Sequence, residues 1–156
     1  MEKSSVADLI PVLSKKSEID GAIREVLDKV VVLRFGRATD ASCLQLDDIL
    51  WKSQRDVSKF SSIFLVDVDA EGTQTYVKYF DITIIPAMVF FFNCEHIKMD
   101  CGTPDHTKFV GAFHRRQDFV DVAEVLYRGA MRGKQIVDCP LPKERIPKFE
   151  LLYKDI

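Results

Sequence analysis

The chain has 156 residues, of which 47% are hydrophobic and 29% are charged. This is typical of a single globular domain with a sizeable core. It carries 22 basic and 24 acidic side chains, for a net charge of −2. There is therefore no global positive field to attract nucleic acid, which only a local basic patch could bind.

The chain contains four cysteines: Cys43, Cys94, Cys101 and Cys139. They form neither a Cys-x-x-Cys motif nor a zinc-ligand pattern, and no metal or cofactor is predicted. The sequence does not begin with a charged and then apolar leader, so we expect free thiols in a reducing compartment, the cytosol or nucleus. The longest apolar run, residues 82–92, falls well short of the ~20 residues of a membrane span, so no membrane contact is predicted.

Hydrophobic periodicity predicts strands that alternate with helices. The predicted strands cover residues 9–13, 30–35, 62–69, 83–92 and 96–102, and the predicted helices cover residues 17–29, 41–53, 73–80 and 117–131. Ser17 is the predicted N-cap of the first helix, and Gly133 is predicted to end the last. The pair Asn93-Cys94 predicts a tight turn that joins the last two strands into an antiparallel hairpin.

The order β-α-β-α-β-α-β-β-α is the thioredoxin arrangement, an α/β fold with a central mixed sheet and helices on both faces. Residues 1–133 are predicted to form this domain, with a loop at residues 103–116. Residues 134–156 are predicted to form an extended tail, because prolines interrupt it, and to dock on the domain or on a partner. Three phenylalanines, residues 90–92, indicate either two covered sheet faces or one ring in an interface.

The segment RFGRATDASC, residues 34–43, occupies the position of a thioredoxin active-site turn. Disulfide exchange needs an attacking thiolate and a resolving thiol, yet Asp40 stands in the attacking slot and Cys43 in the resolving slot. Arg34 stands where thioredoxins carry a buried acid. Dithiol exchange is therefore excluded unless Cys43 recruits a distant thiol. Asp40 fits a helix N-cap, and Cys43 fits a small core residue.

Pro86 matches the cis proline that faces this turn in thioredoxins, where the loop holds a substrate peptide. Without the thiols, the same surface could still dock an extended chain, although a proline that only ends a strand edge is the alternative. The predicted partner surface lies at the carboxyl ends of the central strands. It comprises Arg37, Thr39, Asp40, Ile85 and Pro86.

A second candidate surface is the basic segment YRGAMRGK, with Arg128, Arg132 and Lys134. These side chains could contact RNA phosphates or a partner, or they could compensate the dipole at a helix C-terminus. Trp51 is predicted to lie in the core; if exposed, it would be an anchor for a partner.

Five segments carry a family resemblance: VVVLRFGRATDASCLQLDDIL, IFLVDVD, YVKYFDI, VFFFN-x-x-HIKMD-x-GT and YRGAMRGK. In this order they resemble the DIM-type thioredoxin-like proteins of the spliceosome, over nearly the whole chain from Val12. The segments GTPDHTKFVGAF and IPKFELLYKDI, together with Pro86, resemble the DIM-like branch of that family.

The resemblance implies a nuclear, non-enzymatic pre-mRNA splicing factor that acts as a protein–protein adaptor of the tri-snRNP. It implies association with a helical-repeat bridging protein of that particle, and self-association. The disulfide that some members form from the position of Cys43 cannot form here, because its partner position is Pro86.

Two alternatives stay open. A thiol-redox or redox-sensing relative would use Cys43 with another cysteine, and it predicts an exposed Cys43 with a depressed pKa. A direct RNA binder predicts an affinity that falls steeply with salt.

Overall fold

A computed structural model describes residues 9–148. The strands are β1 (Val12–Leu13), β2 (Val30–Gly36), β3 (Ser61–Asp67), β4 (Ala87–Phe92), β5 (Glu95–Asp100), β6 (Phe109–Val110) and β7 (Ile136–Asp138). The helices are α1 (Lys16–Glu25), α2 (Ala41–Val57), α3 (Gln74–Tyr79) and α4 (Arg116–Met131), with short 3-10 turns at Glu71–Thr73 and Lys143–Arg145.

The strands form one mixed sheet in the order β1-β3-β2-β4-β5-β7, and β6 also pairs with β4. Strand β2 is parallel to β3 and antiparallel to β4. Because β2 and β3 run together, their carboxyl ends meet at one edge of the sheet, where the amino end of β4 also lies. The predicted mixed sheet is confirmed.

Both faces of the sheet are covered. Phe90 and Phe92 belong to a hydrophobic cluster with α2 and α4, whereas Phe91 belongs to a cluster with α1 on the other face. The alternation follows from the period of two in a strand. Of the two predicted arrangements for the three phenylalanines, the structure has two covered faces.

The predicted N-cap of α1 is wrong. The helix begins at Lys16, with Lys15 rather than Ser17 at the N-cap position. The Glu18 carboxylate accepts hydrogen bonds from the backbone N–H groups of Ser14 and Lys15, at 2.9 and 3.1 Å. A glutamate that reaches back to the cap from inside the first turn fixes the helix start without a hydroxyl cap.

Helix α2 extends to Val57, beyond the predicted end, and the prediction that Trp51 lies in the core is wrong. The helix turns Leu46 and Leu50 into the core, whereas Trp51 is 44% exposed and Leu44 is 53% exposed. The conditional prediction, that an exposed Trp51 is an anchor for a partner, stays a prediction. Within residues 9–148, no helix has the length and hydropathy of a membrane span.

Two short strands lie in segments without a predicted strand. The segment 103–116, predicted as a loop, contains β6, which pairs with Ala87 and Met88 of β4. The predicted tail contains β7, which pairs in parallel with β5. These strands have two and three residues, too few for a periodic pattern, and their partners are distant in the chain.

The described part of the tail, residues 134–148, packs against the domain. Leu141 is buried, and Ile146 packs against the cluster formed with α2 and α4. Pro147 lies against Gly111, whose φ of 108° favours glycine and where a Cβ would come within 2.5 Å of the proline ring. Residues 149–156, which contain the apolar end of the predicted tail, lie outside the described residues, and the domain boundary at residue 133 stays a prediction.

Candidate functional site

Asp40 is the N-cap of α2, as predicted. Its backbone is extended, with φ −85° and ψ 130°, and its Oδ1 accepts a hydrogen bond of 2.9 Å from the backbone N–H of Cys43. That hydrogen bond holds the pKa of Asp40 below its ordinary value. The residue in the attacking slot is therefore an ionised cap, because the helix amides stabilise the carboxylate.

Cys43 is fully buried. Burial raises the pKa of its thiol, and the neighbouring Asp40 carboxylate raises it further. The sulfur lies against the end of β2, because a Cβ at Gly36 would come within 2.6 Å of Cys43 Sγ. The prediction of the redox alternative, an exposed Cys43 with a depressed pKa, is contradicted, whereas the prediction of a small core residue is confirmed.

Arg34 forms a buried ion pair with α2. It is 3% exposed, and its Nε and Nη2 donate to the two carboxylate oxygens of Asp47 at 2.8 and 2.7 Å. Burial raises the pKa of Asp47, and the charge of Arg34 opposes that rise. A thioredoxin has a proton-carrying acid at the position of Arg34. Here the guanidinium group of Arg34, which is always charged, binds a carboxylate on the next helix.

Arg37 and Thr39 line an open cleft of about 280 Å³ between the turn after β2 and the end of β3. Arg37 Nε and Nη2 each donate to Asp69 at 2.9 Å, and both side chains are about half exposed. The cleft has charged groups at its rim and an apolar wall. The residues that line it are Val12, Arg34, Gly36, Arg37, Ala38, Thr39, Asp47, Leu65, Val66, Asp67 and Asp69.

The Ile85-Pro86 peptide bond is cis, as predicted. Phe35 of β2 lies opposite Ala87 of β4, so Pro86 comes next to the turn after β2. Pro86 is buried, and its carbonyl oxygen accepts a hydrogen bond of 2.8 Å from the backbone N–H of Gly111. Ile85 is half-buried and is the more accessible of the two residues.

The predicted partner residues therefore form two separate groups. Arg37, Thr39, Asp40, Ile85 and Pro86 lie around the turn after β2, but only Arg37 and Thr39 line the cleft. The second group, Arg128 and Arg132, lies at the C-terminal end of α4. Arg128 is exposed and lies 3.5 Å from Glu124 on the preceding helical turn. Their roles in binding stay predictions. Among the described residues, no group of three His, Cys, Asp or Glu side chains suits a metal ion.

Solved thioredoxins share the fold of this chain. Thioredoxin O2 from Arabidopsis thaliana covers 80% of this chain and 99% of its own, with a TM-score of 0.60 and 18% identity. The thioredoxin of Malassezia sympodialis covers 76% of this chain and 91% of its own, with a TM-score of 0.58 and 21% identity. The predicted thioredoxin fold is confirmed.

The family model described as Mitosis protein DIM1 matches residues 9–143. The chain belongs to the DIM1 family. This match confirms the predicted family resemblance, and it covers the turn after β2, the cis proline and α4.

Relatives in the DIM1 family cover almost all of the chain. Human "Thioredoxin-like protein 4B" is 58% identical over 95% of this chain and 98% of its own. "Mitosis protein dim1" of Schizosaccharomyces pombe is 30% identical over 84% of this chain and 91% of its own. "Spliceosomal protein DIB1" of Saccharomyces cerevisiae is 30% identical over 85% of this chain and 91% of its own.

Sequence reasoning on this DIM1-family chain missed two features of the site. Asp69 is the last residue of the predicted strand 62–69, but the sequence does not predict its ion pair with Arg37. Asp47 was not singled out, although it is the partner of Arg34. For Arg37 and Asp69 the sequence contains a signal, because each follows the end of a strand and these two strands are parallel neighbours. Arg34 lies within β2 and Asp47 within α2, so only the packing of the fold pairs them.

Proposed function

We propose that this DIM1-family chain is a non-catalytic pre-mRNA splicing factor that acts in the nucleus as a protein–protein adaptor of the spliceosome. The observation that carries the proposal is the state of the thioredoxin-like turn. Asp40 caps α2 in the attacking slot, and Cys43 behind it is buried with a raised pKa. The names of the relatives, one spliceosomal and one mitotic, support the cellular setting.

The non-catalytic part of the proposal rests on chemistry. A carboxylate cannot form a mixed disulfide, and a buried thiol with a raised pKa supplies too little thiolate to attack one. The proton-carrying acid is also replaced, because Arg34 forms an ion pair with Asp47. Three separate requirements for dithiol exchange are therefore unmet at this turn.

The adaptor part of the proposal rests on the cleft beside the turn. Its apolar wall and its exposed Arg37–Asp69 pair offer both a hydrophobic contact and a charged contact to a partner chain. Exposed Trp51 and Leu44 on α2 add an apolar contact. The partner that the family resemblance implies is a helical-repeat bridging protein of the tri-snRNP, and self-association is a further proposal. Contact with RNA through Arg128 and Arg132 is not part of the adaptor proposal.

Affinity purification from nuclear extract tests the proposal. Tagged wild-type protein, R37E and R116E would be compared by quantitative mass spectrometry. Arg37–Asp69 and Arg116–Asp56 are ion pairs of similar exposure, but only Arg37 lines the cleft, so R116E is a matched control for charge reversal. We expect wild type and R116E to recover spliceosomal proteins and R37E to recover several-fold less of them.

The outcomes separate the two parts of the proposal. Recovery of only metabolic or redox proteins by wild type would overturn the splicing assignment. Equal recovery of spliceosomal proteins by R37E and R116E would keep the splicing assignment and remove the cleft as the contact surface.

A further inference from the structure

Two cysteines that play no part in the thioredoxin-like turn lie side by side at the ends of two strands. Strands β5 and β7 run in parallel, with Asp100 paired with Asp138 at their last positions. The backbone N–H of Cys139 donates to the carbonyl oxygen of Asp100 at 2.9 Å, which continues the ladder by one residue. The next residue on β5 is Cys101, so the two cysteines are neighbours across the strands.

The geometry of the strand ends suits a covalent bridge. Neighbouring strands lie about 4.8 Å apart, and disulfides join Cα atoms roughly 4.4–6.8 Å apart. The two thiols are close enough that each shifts the pKa of the other. Both side chains are half-buried against the core on the α2–α4 face, and all four cysteines of the chain are free thiols.

The two thiols differ in acidity. The hydrogen bond from Cys101 lowers the pKa of Cys139, and a hydrogen bond from the backbone N–H of Leu141 lowers it further. The same contact and burial raise the pKa of Cys101. We therefore expect Cys139 to be the first of the two thiols to ionise, in contrast to Cys43, whose pKa is raised.

We propose that Cys101 and Cys139 form a reversible disulfide, a redox modification site that is separate from the thioredoxin-like turn. The oxidant is of the peroxide class. The Cys139 thiolate attacks one oxygen of hydrogen peroxide, the O–O bond breaks, and the hydroxide that leaves takes up a proton to become water. Cys101 then attacks the sulfur of the Cys139 sulfenic acid, the S–S bond forms, and the S–O bond breaks.

The second step releases a second water, which carries the proton of the Cys101 thiol. Two thiols thus lose two electrons and two protons, and one peroxide is reduced to two waters. A dithiol reductant reverses the reaction by thiol–disulfide exchange.

The bridge would fasten the tail to the sheet. Cys139 lies in the tail, and Cys101 lines a small cavity of about 10 Å³ together with Ile146 and Pro147 of the tail. A disulfide at this point closes the chain between β5 and β7, so that the docked tail cannot separate from β5. The oxidation state of the pair therefore sets how firmly residues 139–148 are held.

Peroxide treatment followed by disulfide mapping tests the proposal. The full chain carries the C94S substitution, because Cys94 is exposed and would join two molecules. We expect a Cys101–Cys139 cross-linked peptide in oxidised C94S that dithiothreitol removes. In C94S/C101S, Cys139 stops at the sulfenic acid and is trapped by dimedone; in C94S/C139S, Cys101 stays open to alkylation. The control C94S/C43S gives the same cross-link.

Thermal unfolding supplies a second readout that does not depend on trapping. Oxidised C94S should melt roughly 5–10 °C above the reduced protein, because a disulfide restricts the unfolded chain. C94S/C139S should show no shift. The proposal would be overturned if both Cys101 and Cys139 could still be alkylated after peroxide treatment. A disulfide from either of them to Cys43 would also overturn it. Neither result bears on the splicing assignment, which uses neither cysteine.

Discussion

Asp40 caps helix α2 at the position where a thioredoxin has its attacking cysteine. We expect D40A to lower the melting temperature at neutral pH, because Asp40 accepts the hydrogen bond from Cys43 N–H that alanine cannot accept. D40N should retain most of the stability, since asparagine is also a good N-cap. Circular dichroism melts of the three proteins measure the effect.

The effect of D40A should depend on pH. The pKa of folded Asp40 lies below its ordinary value of 3.8, chiefly because of the hydrogen bond from the Cys43 backbone. The stabilisation by the ionised carboxylate is therefore fully present above 3.8 and is lost as the pH falls through the folded-state pKa. The gap between wild type and D40A should narrow in acid. A gap that stays constant into acid would show that the charge of Asp40 contributes nothing.

Several residue-scale features could be predicted from the sequence because they depend on chain neighbours. The cap at Asp40 and the tight turn at Asn93-Cys94 are of this kind, whereas the cis bond before Pro86 is predicted only by the resemblance of its segment to that of thioredoxins. The Arg34–Asp47 pair is not, because its partners lie 13 residues apart and meet only when α2 packs on β2. The exposure of Trp51 likewise depends on the rotation of α2 against the sheet.

At the scale of the element, an ion-pair contact fastens the tail to α4. The Asp118 carboxylate is fully buried in the first turn of α4 and accepts hydrogen bonds from Arg115 at 3.1 Å and from Arg145 of the tail at 3.2 Å. We expect R145A to lower the free energy of unfolding by about 1–2 kcal/mol, because it weakens the pairing of a buried charge while Arg115 remains. Urea denaturation measures the change.

R116A is the matched control for R145A. Arg116 lies 3.5 Å from Asp56, and both side chains are about half exposed, so its loss should change stability by less than about 0.5 kcal/mol. Equal effects of R145A and R116A would show that the ion pair does not hold the tail on α4.

Element predictions succeeded where the pattern was long. The strands β2 and β4 and the helices α2 and α4 each extend over enough residues for hydrophobic period to identify them. Strands β6 and β7 have two and three residues and form only because β4 and β5 offer them backbone partners. The sequence of residues 103–116 and 134–148 contains no pattern that predicts pairing with β4 or β5.

At the scale of the whole molecule, the order of long elements was enough to predict the thioredoxin fold, because few topologies satisfy alternating strands and helices with a closing hairpin. The same order says nothing of how the tail returns to the sheet. Pro147 contacts Gly111, and the backbone N–H of the same glycine donates a hydrogen bond to the carbonyl oxygen of Pro86. The tail therefore lies beside the cis proline that faces the turn after β2. The candidate site and the tail are therefore parts of one packed unit.

A thioredoxin fold that lacks the attacking thiol should have no thioredoxin activity. In an insulin-reduction assay with dithiothreitol, we expect wild type to add nothing to the rate of the reductant alone, and C43S to behave identically, because Cys43 is buried and its pKa is raised. A true thioredoxin in the same assay is the positive control. If wild type reduces insulin and C43S does not, the non-catalytic assignment is overturned. If the activity is kept in C43S and lost in C139S, it belongs to the Cys101–Cys139 pair between β5 and β7.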